Sequence, residues 1–271
     1  MISNDHKDDS AALQSAINYA FTTSQKLIIP FGRYDIKNTI LLPQHFHYSM
    51  KSITIDFSNS VLILNKDVSL FRTTNWMSKI DKNITNGVII GNFDIVSTIG
   101  LIDSYAIEIQ DFHQGTKFEN VSSFCNKNML HSINSYYLEL SNINTNIPGK
   151  GGVRFRFEGY HGLNKLSKLS AVNSDVGYLF EKGMIAALDF RNNSVEGCST
   201  GIHFDSEVYS LSIESCYFEN FNLALLFNNY IHSATVTNNY FNFLTNKNSF
   251  LIQYKGLPAN NIFFLVEGTL I

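Results

Sequence analysis

The feature that constrains this chain most is a repeat between residues 188 and 250. Segments starting at Leu188, Leu211 and Ala234 align so that Phe190, Ile213 and Val236 fall in one column at steps of 23. Val195, Phe218 and Phe241 make a second column, Asn193, Cys216 and Asn239 a third, and Phe204, Phe227 and Phe250 a fourth, at the same step. Each unit reads as a short alternating strand, an Asn-containing bend, one large apolar residue and a second strand. A fixed period of this length without helical patterning marks a solenoid, whose units bury their apolar faces only against their neighbours.

The units do not read as hairpins. Their apolar positions are β-branched, aliphatic or aromatic, they alternate with polar ones, and the Asn-Gly and Asp-Gly hairpin turns are missing. The bends carry Asn192-Asn193, Asn220, Asn222 and Asn238-Asn239, and Asn tolerates the left-handed conformation of a sharp bend. Stacked bends also allow Asn side chains to bond from coil to coil, as in cross-β ladders. The expected fold is all-β: a right-handed parallel β-helix, its strands about 4.8 Å apart along the axis, with a short N-terminal capping α-helix. The rhythm extends backwards, since Gly152, Gly177 and Gly201 align at steps of 25 and 24, as do Phe155, Phe180 and Phe204.

One domain accounts for the 271 residues, with 1–36 as cap and first strands and 37–271 as the β-helix. Only 16% of residues are charged, against about 25% in an ordinary globular protein, which suits stacked coils that cover polar turns as well as strands. A formal charge of −3 gives no reason to expect a nucleic-acid partner. Three cysteines make no disulfide framework, and the Asn-column position of Cys216 reads as a small buried thiol. No apolar run approaches a membrane span, and the start lacks a basic-then-apolar signal. The chain is expected to be made in a reducing cytoplasm and exported, if at all, by lysis or by fusion to another protein.

Residues 8–20 hold the one clear helix. Asp8, Asp9 and Ser10 suit its start, and Ala12, Leu13, Ala16, Ile17 and Ala20 form an apolar stripe at helical spacing. Such a helix is a natural lid for the unpaired edges at a solenoid's end. The opening Asp8-Asp9, Ala12, Gln14, Ala16-Ile17, Ala20, then Pro30, Gly32 and Tyr34 resembles that of pectate-lyase-like β-helix proteins, including phage tailspikes and capsule depolymerases. The resemblance covers about thirty residues plus the repeat. It implies a cap and first coil, a carbohydrate partner of the bacterial-surface type, a homotrimer, and a location on a virion tail or outside the cell after release. Outward-facing Leu179, Leu226 and Leu251 offer a strip for such an assembly. The family spans lyases, hydrolases, epimerases and binding modules, so activity must be read from residues.

With the phenylalanines of the 155/180/204/227 column facing the core, strand alternation turns Arg154, Arg156, Glu158, Glu181, His203, Asp205 and Glu207 outward. Glu181 and Asp205 on adjacent coils are expected roughly 5 Å apart, and Glu158 and Glu207, two coils apart, roughly 10 Å. Glycoside hydrolysis needs two carboxyls at about 5–5.5 Å for a covalent intermediate, or about 6.5–9.5 Å for direct attack by water. The expected catalytic set is Glu181 and Asp205, supported by Glu158, Glu207 and His203. Arg154, Arg156, Tyr160 and Trp76 are the expected substrate-binding residues, without metal or cofactor. Three other readings compete: an ion-pair ladder on a solvated face, a lyase using Arg154, Arg156, Tyr160 or His203, and a glycan-binding adhesin. A second file, Arg191, Glu214, Thr237, Glu196 and Glu219, ranks lower because it lacks a His and a nearby long turn. His45 and His47 read as surface histidines without a third ligand, and Trp76 reads equally well as packing its own loop.

Overall fold

The computed structural model describes residues 7–43, 53–77, 85–147, 151–243 and 249–256, and the backbone of Phe263–Leu270. His45 and His47 lie outside the described residues. The chain winds through about eight turns whose walls are parallel sheets of thirteen, nine and three strands. It is the parallel β-helix that the repeat predicts.

Three of the four columns stack as the spacing predicts. Phe190 pairs with Ile213 and Ile213 with Val236, while Val195 pairs with Phe218 and Phe218 with Phe241. Tyr217 follows the third column, and its amide bonds to the carbonyl of Asn193 at 2.9 Å. The fourth column needs correction at both ends. Phe227 pairs with Tyr254, while Phe250 pairs with Leu223 and is 65% exposed. The last coil is four residues longer than the repeat, and the extra length lies between Asn242 and Phe250. At the other end Phe155 pairs with Tyr178, and it is Phe157 that pairs with Phe180. Because strand side chains alternate, two phenylalanines two residues apart fit the pattern equally well.

Inside the tube, Phe157, Phe180, Phe204 and Phe227 stack face to face at 4.7, 4.9 and 4.9 Å. Those steps equal the spacing of the strands, so ring contact and backbone bonding reinforce one another. The bends carry two kinds of Asn ladder. Asn142 donates to Asn120, Asn120 to Asn92 and Asn92 to Asp56, at 2.9, 2.8 and 3.0 Å, each of these Asn at φ between 52° and 64°. Buried Asn193 and Asn239 instead bond main chain of the previous coil: Asn193 takes the Leu169 amide and donates to the Leu166 carbonyl.

The helix runs Ser10–Thr23 and packs Leu13, Ile17, Ala20 and Phe21 into the core, leaving Ala12 exposed. Its Gln14 brackets Leu41, accepting from the amide at 2.6 Å and donating to the carbonyl at 2.8 Å. Leu41 sits on the edge strand Ile40–Leu42, so Gln14 satisfies backbone groups that an open sheet edge leaves bare. At the helix start Asp8, not Asp9, accepts from the Ser10 amide, at 3.0 Å, while the Asp9 carboxylate holds the Asp35 amide at 3.1 Å.

Candidate functional site

The outer face of the nine-stranded sheet gathers the titratable side chains. One register row runs Arg72, Glu108, His131, Arg156 and then Leu179, His203 and Leu226. A second row, two residues along each strand, runs Gln110, Ile133, Glu158, Glu181. Alternation places both rows outside because Phe155, Phe157, Tyr178 and Phe180 between them are buried.

Glu158 is the hub. Its carboxylate meets His131 Nε2 at 3.1 Å, Lys182 Nζ at 3.1 Å and Arg156 Nη2 at 3.5 Å. Arg156 also bonds Glu181 through Nε at 2.6 Å. Burial pushes the Glu158 carboxyl up, but the bond and charge of Lys182 and then His131 outweigh it, so the group lies below the ordinary 4.5. His131 is pushed down to about 4, by burial first and then by the Arg156 charge. It is held under aromatic rings: Trp76 meets it edge-on at 4.9 Å and Tyr105 at 5.1 Å. Trp76 therefore packs onto the sheet face, not only onto its own loop.

Beside this hub lies Asp111, whose carboxyl burial raises above the ordinary 3.8 despite bonds from Gln110, Asn134 and Asn75. Asn75 and Gln110 both donate to Asp111 Oδ2 at 3.3 Å, and the Met77 amide donates to Gln110 at 2.8 Å. Residues 74–77 thus lie over the row that leads to Glu158. Further along, Glu108 binds Arg72 Nε and the Ser69 hydroxyl, both at 2.5 Å.

The expected residues are placed as follows. Arg156, Glu158 and Glu181 share the face. Asp205 follows on the next coil, its amide bonded to the Phe180 carbonyl at 2.7 Å; it is exposed and its carboxylate accepts from Asn228 at 3.3 Å. His203, lowered by burial, meets Asn228 at 2.8 Å. Tyr160 is 54% exposed just beyond the bend after Glu158, its amide bonded to Asn134. Two expectations are corrected. Arg154 is fully buried, not outward: it donates to the carbonyls of Val172, Asn173, Lys127 and Gly151 and ties coils together, with burial lowering it to about 10. Glu207 belongs to the three-stranded sheet, paired with Met184 and bonded to His232 at 2.9 Å, so it is not on the wall of Glu158. Of the leucine strip, Leu226 is buried and Leu251 packs against the core.

No protein-family model matches the sequence, and no curated protein matches it. Solved structures do match. The Dettilon tailspike protein aligns over 98% of this chain and 66% of its own, at 9% identity and a TM-score of 0.50. The fold is that of a tailspike β-helix. ORF18 of Geobacillus virus E2 aligns over 98% of this chain and 59% of its own, at 13% identity and a TM-score of 0.43. The Streptococcus pneumoniae surface protein and adhesin PfbA aligns over 99% and 97%, at 10% identity and a TM-score of 0.46. The chain thus spans about two thirds or less of the two viral proteins.

Asp111, His131, Tyr105 and Lys182 are the site residues that the spacing argument missed. Asp111, Asn134 and Lys182 all take positive φ at one bend, as does Gly159, so a further bend column was the available signal. Among the described residues no group of three or more His, Cys, Asp or Glu is arranged to hold a metal, and no helix is long and apolar enough to cross a membrane.

Proposed function

We propose that the outer face of the nine-stranded sheet binds and hydrolyses a bacterial surface polysaccharide, with Asp111 as general acid and Glu158 as general base. The observation that carries this reading is that the protein pushes two carboxyls of one face in opposite directions, Asp111 up and Glu158 down. Opposed shifts of this kind favour Asp111 as the proton donor and Glu158 as the proton acceptor. Glu158 pairs with Ile133, and Ile133 with Gln110, the neighbour of Asp111. The two carboxyls therefore stand two coils apart, about 9.6 Å of backbone, close to the upper end of the separation that admits an attacking water. In this reading Glu158 takes a proton from water as it attacks the anomeric carbon, and Asp111 gives one to the departing glycosidic oxygen. Arg156 and Lys182 orient Glu158, and Trp76, Tyr105 and exposed Tyr160 supply ring surfaces against sugar.

A covalent route through Glu181 and Asp205 is the competing assignment, favoured by their adjacent coils. The test is digestion of candidate capsule and O-antigen polysaccharides with the purified chain, followed by size separation. Loss of chain length that disappears in Asp111→Asn and in Glu158→Gln supports the proposal. Loss that persists in both and disappears in Glu181→Gln and Asp205→Asn reassigns the pair, and products with the ultraviolet absorbance of an unsaturated sugar make the chain a lyase. Binding without shortening makes it an adhesin. By the tailspike likeness of its fold, the chain would act as a homotrimer on a virion tail or outside the cell, which sedimentation of the purified protein tests.

A further inference from the structure

The large sheet carries a second feature, on a different wall and sharing no residue with the face just described. At one of its bends lies a groove of about 340 Å³, within the range of ligand pockets, lined by Asn144, Lys168, Ser170, Asn192, Ser194 and Tyr217 among others. Asn144, Ser170, Ser194, Tyr217 and Tyr240 occupy one register row on successive coils. Tyr217 and Tyr240 stack at 5.1 Å and 7°, so their rings lie across the axis and Tyr240 covers one face of Tyr217. The residue on the other side is Ser194, whose side chain is too short to cover the second face. The void over Ser194 and Ser170 is therefore walled at one end by an open aromatic ring.

That ring is held in place. The Tyr217 hydroxyl donates to Glu219 at 2.8 Å, and Asn242 donates to the other Glu219 oxygen at 3.2 Å. A pyranose presents an apolar face and a rim of hydroxyls, and this groove presents a ring face with amides and hydroxyls around it. Two residues along the same strands from Ser194 and Tyr217, Glu196 pairs with Glu219 on adjacent coils, against the single cation Lys168 among the groove residues named above, a balance that disfavours a polyanion. The Glu196 carboxyl is raised by burial and then by Glu219, in keeping with two acids set close together.

We infer that this groove binds a neutral glycan chain, with one sugar ring seated over Ser194 against the open face of Tyr217. The ligand class is that of the proposed reaction, but the site is separate from it.

Native electrophoresis of the full chain through gels containing dextran, mannan or galactan tests the inference. The expected result is retardation by at least one of the three polymers, reduced at least tenfold in apparent affinity in Tyr217→Ala and in Ser194→Tyr. Ser194→Tyr extends the tyrosine stack by one coil, so it fills the groove without opposing the fold. Retardation by none of the polymers, or retardation that survives in either groove variant, overturns the inference. The shortening assay on Asp111→Asn and Glu158→Gln decides the hydrolytic reading independently.

Discussion

Glu158 and Glu181 are register partners on adjacent coils, and one guanidinium, that of Arg156, reaches both. Parallel stacking brings like residues side by side at about 4.8 Å, so two carboxylates in file repel unless a cation lies between them. The sheet supplies that cation from the same strand as Glu158, two residues earlier.

Arg156→Ala leaves the two acids facing each other. The expected cost is about 1–3 kcal/mol at neutral pH, the range for a partly buried charged group stripped of its partner. It should appear as a lower denaturation midpoint that recovers as the acids are protonated. An unchanged midpoint at neutral pH would mean that the Lys182 charge alone suffices.

Removing either proposed proton-transfer group, by Asp111→Asn or Glu158→Gln, should lower kcat on the cleaved polymer by about 10²–10⁴-fold. The sign of the pH dependence follows from the two shifts. Activity rises as Glu158 ionises, below its ordinary 4.5, and falls as Asp111 loses its proton, above its ordinary 3.8. A bell with its maximum on the acid side of neutrality is expected in kcat/KM, and a maximum on the alkaline side contradicts the assignment.

Two buried histidines make stability itself depend on pH. His131 and His161 are pushed from 6.5 to about 4, each mainly by burial, and both are neutral in the folded chain near pH 7. The unfolded chain binds more protons between the folded and unfolded values, so stability falls as pH drops from 6.5 towards 4. The contribution is on the order of 3 kcal/mol for each. Denaturant midpoints followed across that window should show a slope that His131→Gln reduces; an equal slope in wild type and variant would place the proton uptake elsewhere.

The phenylalanine stack separates a true core column from an apparent one. Phe180→Ala removes a ring between Phe157 and Phe204 and should cost about 3–5 kcal/mol. Phe250→Ala removes a residue that is 65% exposed and should change stability by less than about 0.5 kcal/mol. Thermal midpoints of the two variants give the comparison, and equal losses would restore Phe250 to the core.

How far the residues alone led depends on period. The 23-residue step in the strands from Leu188 onward set fold, register and the inside of the tube, because each core column repeats a large apolar residue at one spacing. Where two phenylalanines flank one arginine, as in Phe155-Arg156-Phe157, alternation alone does not say which faces the next coil's Phe180. That two-residue ambiguity put Glu158 beyond its partner Glu181. Arg154 is a separate case: alternation turns it outward in either alignment, and it is buried because its guanidinium is spent on main-chain carbonyls, those of Val172, Asn173, Lys127 and Gly151. Asp111 and His131 stayed hidden for another reason. They belong to coils before residue 152, where bend lengths vary, and the loop bearing Trp76 meets them only in three dimensions.

The Asn column offers the sharpest test of that periodic logic. Asn193 and Asn239 each accept a backbone amide and donate to a backbone carbonyl of the previous coil, but Cys216 between them brings a thiol, which meets the Phe190 carbonyl of that coil at 3.6 Å and the Glu214 carbonyl of its own at 3.3 Å. An Asn at 216 would find the same two main-chain partners, the Phe190 carbonyl and the Asn193 amide, one coil below. Cys216→Asn should therefore stabilise the chain by about 0.5–1.5 kcal/mol, the net worth of a hydrogen bond, while Asn193→Cys should destabilise it by about 1–3 kcal/mol through the buried groups it strands. The comparison is made on denaturation midpoints at one pH. If Cys216→Asn is the less stable of the pair, the bend at 216 is shaped for sulfur and the coils are not interchangeable.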